Sequence, residues 1–352
     1  MSRTIVLHIG TGKAGSSTLQ RSLHAARKSL LRQGILIPQF NGRYLDQSNT
    51  LSLFTKDLPA KQWDTIAADV EHQIRTKRPH TVILSSEHLC ARKVEALDFE
   101  LINRLGADEL KLVLIVREPT SFYLSNQQQR LRATHTFTHP RQFRAKYKDT
   151  IQNWRSLGHD LSVIPFQKPF ATKDMVANFL SLVAPDDSID YSATVPTLST
   201  NTSECAEVTA IMQNYFRALH FGERRRLRPE AHLVREALIQ ASKRCDGVTK
   251  PKLKPYVSRI IVDNHREELD WLRAEENIEF DLKFDKHSVS ERDADHASIQ
   301  SFSDIATVNN DAVTELQLSA LRQFALRETG KRRTPTQTML RKLFNSLLSR
   351  RA

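Results

Sequence analysis

A glycine-rich segment with one lysine and three consecutive hydroxyl residues lies near the amino terminus. It reads Gly10-Thr11-Gly12-Lys13-Ala14-Gly15-Ser16-Ser17-Thr18. Glycines let backbone N–H groups turn towards an anion, the lysine adds a positive charge, and the hydroxyl groups can donate hydrogen bonds. The segment therefore predicts a site for phosphate or sulfate.

This segment differs from a nucleoside-triphosphate loop at two positions. The Walker pattern has a glycine where this chain has Leu7, and it has Ser or Thr directly after the lysine, where this chain has Ala14. The spacing of Gly10, Gly12 and Gly15 matches a dinucleotide fingerprint, but a lysine and a hydroxyl run are unusual beside a dinucleotide pyrophosphate. An ordinary glycine-rich turn stays open at this point.

A second candidate anchor follows the most apolar stretch of the chain. Arg117 comes directly after Leu112-Val113-Leu114-Ile115-Val116, and Ser125 lies eight residues further on, about two turns into a predicted helix. An arginine at the carboxyl end of a strand faces the crevice where open α/β sheets bind ligands, and with a serine it can hold a phosphate. Taken alone, the pattern is better explained by a surface arginine before the helix-initiating Pro119.

Together the two segments resemble the sulfotransferases that use 3′-phosphoadenosine 5′-phosphosulfate (PAPS), in the style of bacterial sulfotransferase-domain proteins. The resemblance covers roughly residues 1–285 and rests on Leu7-His8-Ile9-Gly10, on Lys13-Ala14-Gly15-Ser16-Ser17-Thr18, and on Arg117-Glu118-Pro119 with Ser125. Asn153-Trp154 and Asn264 give weaker support. The resemblance implies that residues 10–18 hold the 5′-phosphosulfate, and that Arg117 and Ser125 hold the 3′-phosphate.

The same resemblance implies roles for the reacting groups. Lys13 would stabilise the leaving oxygen, and Glu87 or His88, which follow a predicted strand, would be the general base, with Glu87 preferred. His8 is expected to be a satisfied core or crevice histidine. No metal is implied. The acceptor is expected to be a carbohydrate or another hydroxyl-bearing (or amine) compound.

Two features depart from the family pattern or leave it open. Ala14 stands where a hydroxyl residue or glycine is common, and the glycine-rich carboxyl-terminal segment that some members use on the 3′-phosphate has only Gly247, beside Lys243-Arg244 and Lys250, as a candidate. Gln127, Arg130 and Arg132 could contact the acceptor, or they could form a solvated helix face.

The elements that must position these residues follow from the hydrophobic pattern. Apolar runs predict strands over 4–9, 35–37, 81–84, 112–116 and 161–165, and helical periodicity predicts helices over 16–32, 60–75, 120–132, 205–219, 231–242, 256–273 and 312–327. The polar segment 285–310 predicts a linker or surface loop. The alternation predicts an α/β fold, a P-loop-like three-layer arrangement with a central, mainly parallel sheet flanked by helices. A sulfotransferase domain is expected over 1–285, with a linker and a helical, basic extension over 286–352.

Composition restricts the setting in which the protein works. The formal net charge is +12, which predicts anionic partners. The three widely spaced cysteines, Cys90, Cys205 and Cys245, predict a reducing compartment, and the chain is expected to be cytoplasmic. An apolar stripe at Met339, Leu340, Leu343, Phe344, Leu347 and Leu348, flanked by basic residues, could lie on the inner membrane face or pack against protein.

Two other functions compete with the sulfotransferase hypothesis. A P-loop kinase or nucleotide-binding protein would share the loop but lacks the Walker hydroxyl after Lys13. A basic nucleic-acid-binding protein would explain the net charge, but the chain has no recognised nucleic-acid motif, so no nucleic-acid partner is expected.

Overall fold

The computed structural model describes residues 2–41, 43–45, 47–55, 60–167, 175–186, 188–195, 204–223, 226–282 and 298–328. Its strands are β1 (Thr4–His8), β2 (Ile35–Leu36), β3 (Gln39–Phe40), β4 (Arg43–Tyr44), β5 (Thr81–Ser85), β6 (Glu109–Val116) and β7 (Asp160–Pro165). Its helices are α1 (Ser16–Arg32), α2 (Gln47–Thr55), α3 (Ala60–Lys77), α4 (Glu100–Arg104), α5 (Pro119–Arg130), α6 (Tyr147–Arg155), α7 (Met175–Val183), α8 (Tyr191–Thr194), α9 (Ala206–Leu219), α10 (Pro229–Ser242), α11 (Pro255–Asn264), α12 (Arg266–Glu276), α13 (Phe302–Ile305) and α14 (Asn310–Glu328).

A parallel sheet forms the centre of the part of the chain that contains the candidate site. Its strand order is β2-β5-β1-β6-β7, and every described pairing between neighbours is parallel. The chain leaves β1 for one side of the sheet, to β2 and β5, and returns to the other side at β6. In such sheets ligands bind at the carboxyl ends of the strands, where the strand order reverses. The ends of β1 and β6 are therefore the expected place for a ligand.

Both faces of this sheet are covered by helices. Ile5 and Leu7 of β1 pack with residues of α3, α6 and α12 in one buried cluster, whereas Val6 packs with residues of α1 and α7 in another. Side chains alternate between the two faces of a strand, so a run that is apolar throughout buries both faces. Full burial of each such side chain contributes about 1.5–3 kcal/mol. The predicted α/β fold, with a central parallel sheet between helical layers, is confirmed.

The described structure divides into two compact units. The first consists of Met1–Glu118, Ala145–Asn201 and Arg266–Leu282 and contains the whole sheet. The second consists of Pro119–Arg144, Thr202–His265 and Lys283–Ala352, and its described elements are helical, including α5, α9, α10, α11 and α14. The predicted boundary at residue 285 lies outside the described residues, as does the predicted amphipathic stripe at 339–348.

Two predictions about the second half of the chain are wrong. The helix expected over 256–273 is interrupted at His265, whose backbone leaves the helical region (φ −114°, ψ 11°), and whose buried ring lies with Nδ1 2.6 Å from the Ile261 carbonyl oxygen. The segment 285–310 is not all loop, because α13 lies within it. Ser301 and Asp304 form a capping box for this short helix, and Phe302 and Ile305 are buried.

Candidate active site

The loop between β1 and α1 is anchored to β6 by one residue. Thr11 donates two hydrogen bonds to the Ile115 carbonyl, from its backbone N (2.9 Å) and from Oγ1 (2.8 Å). Lys13 and Gly15 both have left-handed backbone conformations, with φ 69° and 84°. These conformations turn the chain sharply between the strand and the first residue of α1.

Glycine is required at two positions of this loop. A Cβ on Gly15 would lie 2.7 Å from Met175 Cε and 2.7 Å from Phe166 Cε2, and its positive φ strains any other residue. A Cβ on Gly10 would lie 2.5 Å from His8 Nε2. The loop therefore packs its backbone directly against buried side chains of the first unit.

The amino terminus of α1 is suited to an anion. The first N–H groups of a helix have no acceptor within the helix, and α1 has neither a side-chain cap nor an acidic residue in its first turn. Ser16 Oγ is buried and has no hydrogen-bond partner among the described residues. Ser17 and Thr18 follow it and are half-buried. The donors of this turn fit a phosphate or sulfate group.

Arg117 joins the second sequence motif to this loop. It follows the last residue of β6, and its Nη1 donates a hydrogen bond to the Lys13 carbonyl oxygen. Its guanidinium lies over the Phe166 ring, 5.6 Å from the ring centroid. Burial lowers the pKa of Arg117 from its ordinary value, but an arginine keeps its charge at neutral pH. The positive charge of Arg117 is thus held beside the loop.

Tyr147 holds the backbone of Arg117 in place. Its hydroxyl donates a 2.5 Å hydrogen bond to the Arg117 carbonyl oxygen. Burial, together with the carboxylates of Glu118 and Glu268, raises the pKa of Tyr147 well above its usual range. The hydroxyl therefore keeps the proton that this hydrogen bond needs.

The candidate bases lie at the end of the neighbouring strand. The Ser86 N–H donates to the His8 carbonyl at 2.9 Å, which continues the β1–β5 pairing past the end of β5. Glu87 then begins a single 3₁₀ turn, and it is half-buried, whereas His88 is exposed. Burial and the Glu87 carboxylate raise the pKa of the Cys90 thiol to about 12, so this thiol stays protonated.

Asn153, which gives only weak support to the family resemblance, holds the loop that follows Glu87. Its Nδ2 donates to the Arg92 carbonyl at 2.9 Å, and its Oδ1 accepts from the Val94 N–H at 3.3 Å. The neighbouring Trp154 is fully buried in the core of the first unit. Asn153 therefore holds residues 92–94, which follow the turn that contains the candidate base.

Ser125 and the candidate acceptor residues belong to the second unit. Ser125 is half-buried on α5, and its grouping with Arg117 stays a prediction. Of the two alternatives for Gln127, the solvated helix face does not apply, because Gln127 is fully buried and its Oε1 accepts from the Thr138 N–H at 2.8 Å. Arg132 lies beyond the end of α5 and forms an ion pair with Glu204.

Three other residues of the second unit have structural partners. Arg130 Nε donates to the Thr136 carbonyl at 3.0 Å, and Asn264 Nδ2 donates to the Pro140 carbonyl at 3.0 Å. Gly247 has a φ of 78°, and its carbonyl accepts from Asn309 Nδ2 at 3.0 Å. The turn geometry accounts for a glycine at 247, and its role on a phosphate stays a prediction.

The sequence analysis missed one buried hydrogen-bonded group beneath the loop. His8 Nδ1 lies 2.8 Å from Ser85 Oγ, and Gln20 Nε2 donates to the same Ser85 Oγ at 3.0 Å. His8 Nε2 is buried and has no partner within the described part of the chain, so the expectation of a satisfied histidine holds for only one ring nitrogen. The signal available in the sequence was a polar Ser85 that ends the apolar run of β5, and a polar Gln20 beside Leu19 on α1.

Metal-ligand clusters and membrane-spanning helices are both absent from the described residues. No group of three or more His, Cys, Asp or Glu side chains in the described ranges could hold a metal ion. Within the same ranges, no helix has the length and apolar character needed to cross a bilayer.

Comparison with known proteins adds little to the geometry. No family model and no curated protein matches the chain. One solved structure with some similarity is an unliganded sugar kinase from Janibacter sp. HTCC2649, which is 10% identical, and the match covers 53% of this chain and 97% of that chain with a TM-score of 0.25. A likeness at this TM-score carries no argument about function.

Proposed function

We propose that the protein is a sulfotransferase that moves a sulfuryl group from PAPS to a hydroxyl or amine of an acceptor, with a carbohydrate as the expected acceptor class. The observation that carries the proposal is the hydrogen bond from Arg117 to the Lys13 carbonyl. It supports the proposal because it brings together two motifs, 104 residues apart in sequence, that would hold the two anionic groups of PAPS.

The residues of the first unit fit the phosphosulfate end of the donor. The N–H groups at the start of α1 and the hydroxyls of Ser16, Ser17 and Thr18 would bind phosphate and sulfate oxygens. Arg117 has five N–H donors, so it could contact both the loop carbonyl and the 3′-phosphate, the group that the resemblance assigns to it. Ala14, which is buried, places a methyl group where a triphosphate loop has its magnesium-binding hydroxyl.

The proposed reaction is an in-line displacement at sulfur. The acceptor oxygen bonds to sulfur as the bond between sulfur and the bridging phosphate oxygen breaks, and adenosine 3′,5′-bisphosphate is the second product. The Lys13 ammonium would stabilise the negative charge that develops on the leaving oxygen. The Glu87 carboxylate would accept the proton of the acceptor hydroxyl.

The surroundings of the two candidate bases favour Glu87. Glu87 is half-buried in the turn that follows β5, next to the end of β1, whereas His88 is exposed. A group that removes a proton within a site must be within hydrogen-bond reach of the acceptor, which an exposed side chain achieves less readily. His88 remains the second candidate.

Transfer of a labelled sulfuryl group tests the proposal. The protein would be incubated with PAPS radiolabelled in its sulfate, and with a panel of neutral, amino and uronic-acid oligosaccharides. We expect label in at least one oligosaccharide with the wild type and with Lys28→Ala, and labelling about 10²–10³ times slower with Lys13→Ala. Lys28 is an exposed lysine on α1, about 18 Å along the helix from Ser16, and controls for the loss of one charge.

The alternatives are separate outcomes of the same assay. ATP labelled in its γ-phosphate, supplied with Mg²⁺, would label the panel if the protein were a P-loop kinase. Label from ATP alone would overturn the sulfotransferase proposal, and so would sulfuryl transfer that is equally fast in Lys13→Ala.

A further inference from the structure

His8 occupies a buried position directly before the loop between β1 and α1. It is the last residue of β1 and has no solvent exposure. Its ring meets Phe179 edge-on, with 5.8 Å between the ring centroids, so it lies on the side of the sheet that α1 and α7 cover. Neither of its ring nitrogens is exposed to bulk solvent in this position.

The hydrogen bonds around Ser85 decide which nitrogen of His8 carries the proton. Gln20 Nε2 lies 3.3 Å from the Ser85 carbonyl oxygen and 3.0 Å from Ser85 Oγ. A carbonyl only accepts, so the Gln20 atom that faces it is the amide nitrogen, which donates to both oxygens. Ser85 Oγ accepts from Gln20, and the acceptor that the described residues offer to its own hydrogen is His8 Nδ1, 2.8 Å away. An Nδ1–H donor would leave that hydroxyl hydrogen unsatisfied. With Nδ1 as the acceptor, a neutral ring carries its hydrogen on Nε2.

This Nε2–H is directed at the space that Gly10 leaves open. The point where a Gly10 Cβ would stand is 2.5 Å from His8 Nε2 and 3.4 Å from Ser16 Oγ. Both of these atoms are buried and have no hydrogen-bond partner in the ranges that the structure describes. A donor and a hydroxyl thus face the same small space at the start of α1. Burial lowers the pKa of His8 to about 4, which agrees with a neutral ring at pH 7.

We propose that His8, held by Ser85 and Gln20, is a positioning residue that makes the Ser16 hydroxyl a donor towards the bound anion. His8 Nε2 and Ser16 Oγ are not hydrogen-bonded to each other in the structure. The hydrogen bond from Nε2–H to a lone pair of Ser16 Oγ would form as the anion binds, and it would direct the hydroxyl hydrogen of Ser16 outwards, to a phosphate or sulfate oxygen. All hydrogen bonds then run in one direction, from Gln20 through Ser85, His8 and Ser16 to the ligand. This inference rests on the anion site of the proposed function and adds a role for His8 within it.

A double-mutant cycle measured by calorimetry tests this relay. The variants are His8→Phe, Ser16→Ala and the double variant, and the probes are adenosine 3′,5′-bisphosphate and inorganic pyrophosphate. We expect each single variant to weaken binding by about tenfold, the effect of one hydrogen bond to a charged group. The double variant is expected to bind no more weakly than Ser16→Ala, because the loss of His8 matters only through Ser16.

Two further variants separate positioning from packing. His8→Gln retains an N–H donor on a side chain of similar reach and is expected to recover most of the affinity. Phe179→Leu disturbs the packing of the His8 ring without removing a hydrogen bond and is expected to leave binding unchanged, with thermal unfolding confirming that each variant is folded. If His8→Phe does not fold, Ser85→Ala takes its place in the cycle, since it removes the preceding hydrogen bond of the relay.

Some outcomes would overturn the relay alone. Additive losses in the double variant, no recovery in His8→Gln, or an equal loss in Phe179→Leu would each show that His8 acts through packing. Binding of pyrophosphate without the bisphosphate would contradict the proposed donor, while the cycle with pyrophosphate would still test His8. Binding of neither probe would overturn both.

Discussion

Lys13 combines an unusual backbone conformation with the charge that the proposed chemistry needs. Its backbone φ of 69° is one that residues other than glycine seldom adopt. Its carbonyl accepts the hydrogen bond from Arg117. Strained backbone of this kind costs of the order of 1–3 kcal/mol and persists where the surroundings hold it. The lysine is therefore held in the loop from both sides, by the Thr11 anchor and by Arg117.

Replacing Lys13 with alanine tests its role in the chemical step. The Lys13→Ala variant should transfer sulfuryl groups about 10²–10³ times more slowly, because the charge on the leaving oxygen loses its stabilising partner. Rates measured under saturating PAPS would show this loss, and Lys28→Ala should keep the wild-type rate. A loss of less than threefold in Lys13→Ala would remove the lysine from the proposed mechanism.

Glu87 and His88 can be distinguished by the same rate measurement. Glu87→Gln should lower turnover by about 10²–10⁴-fold and leave the affinity for adenosine 3′,5′-bisphosphate unchanged, because a general base does not contact the bisphosphate. His88→Gln should cause a smaller loss, since that side chain is exposed. The reverse order of the two losses would move the base from Glu87 to His88.

At the scale of elements, the order of the strands places the site. The ends of β1, β5 and β6 meet at one edge of the sheet because their pairings are parallel and in register, with His8 opposite both Ser85 and Val113. Each strand end contributes one part of the candidate site. The loop with Lys13 follows β1, the turn with Glu87 follows β5, and Arg117 follows β6. Phe166 at the β7 end and Met175 of α7 lie against the loop at Gly15.

Glycine substitutions test how tightly the loop is packed. Gly15→Ala should lower the free energy of unfolding by about 1–3 kcal/mol, because a methyl group there meets Met175 and Phe166 and the positive φ adds strain. Gly12→Ala is the matched control, since a Cβ at Gly12 meets nothing within 4 Å. Urea unfolding of both variants gives the two values. Equal values would contradict the packing described for Gly15.

The sequence predicted most of the sheet, for physical reasons that also explain the errors. The strands β1, β5 and β6 bury both faces and are read from continuous apolar runs. β6 begins at Glu109 rather than at residue 112, because its first residues alternate between exposed and buried. The interruption at His265 depends on tertiary burial of that ring, which helical periodicity does not reveal.

The candidate site was predicted less completely than the fold. The loop and Arg117 were found because glycines, a lysine and a strand-terminal arginine have recognisable types and spacing. His8, Ser85 and Gln20 were not, because their hydrogen bonds join residues far apart in the sequence, and each residue alone has an ordinary structural explanation. Short-range patterns contain no information about which buried polar atoms meet.

At the scale of the whole molecule, the free energy of unfolding should depend on the titration of His8. Burial lowers the pKa of His8 from 6.5 to about 4. Between these pH values the unfolded state binds more protons than the folded state, so stability is complete above pH 6.5 and falls as the pH drops towards 4. Integrated over that interval, the loss is about 3 kcal/mol.

Urea unfolding at pH 7, 6, 5 and 4 would measure this dependence. The wild type should lose about 3 kcal/mol more than His8→Phe over the interval, because the carboxylates titrate alike in both proteins. The comparison uses the slopes alone, so a constant difference in stability between the two proteins does not affect it. Parallel curves would show that His8 is not held neutral in the folded protein.

The central claim, that the site binds the PAPS nucleotide, is tested most directly by calorimetric titration with adenosine 3′,5′-bisphosphate, beside ATP with Mg²⁺. We predict that the bisphosphate binds to the wild type and to Lys28→Ala, and at least about tenfold more weakly to Arg117→Ala, because a charged partner of the phosphate is lost. Binding of Mg-ATP alone, or of neither nucleotide, would contradict the claim.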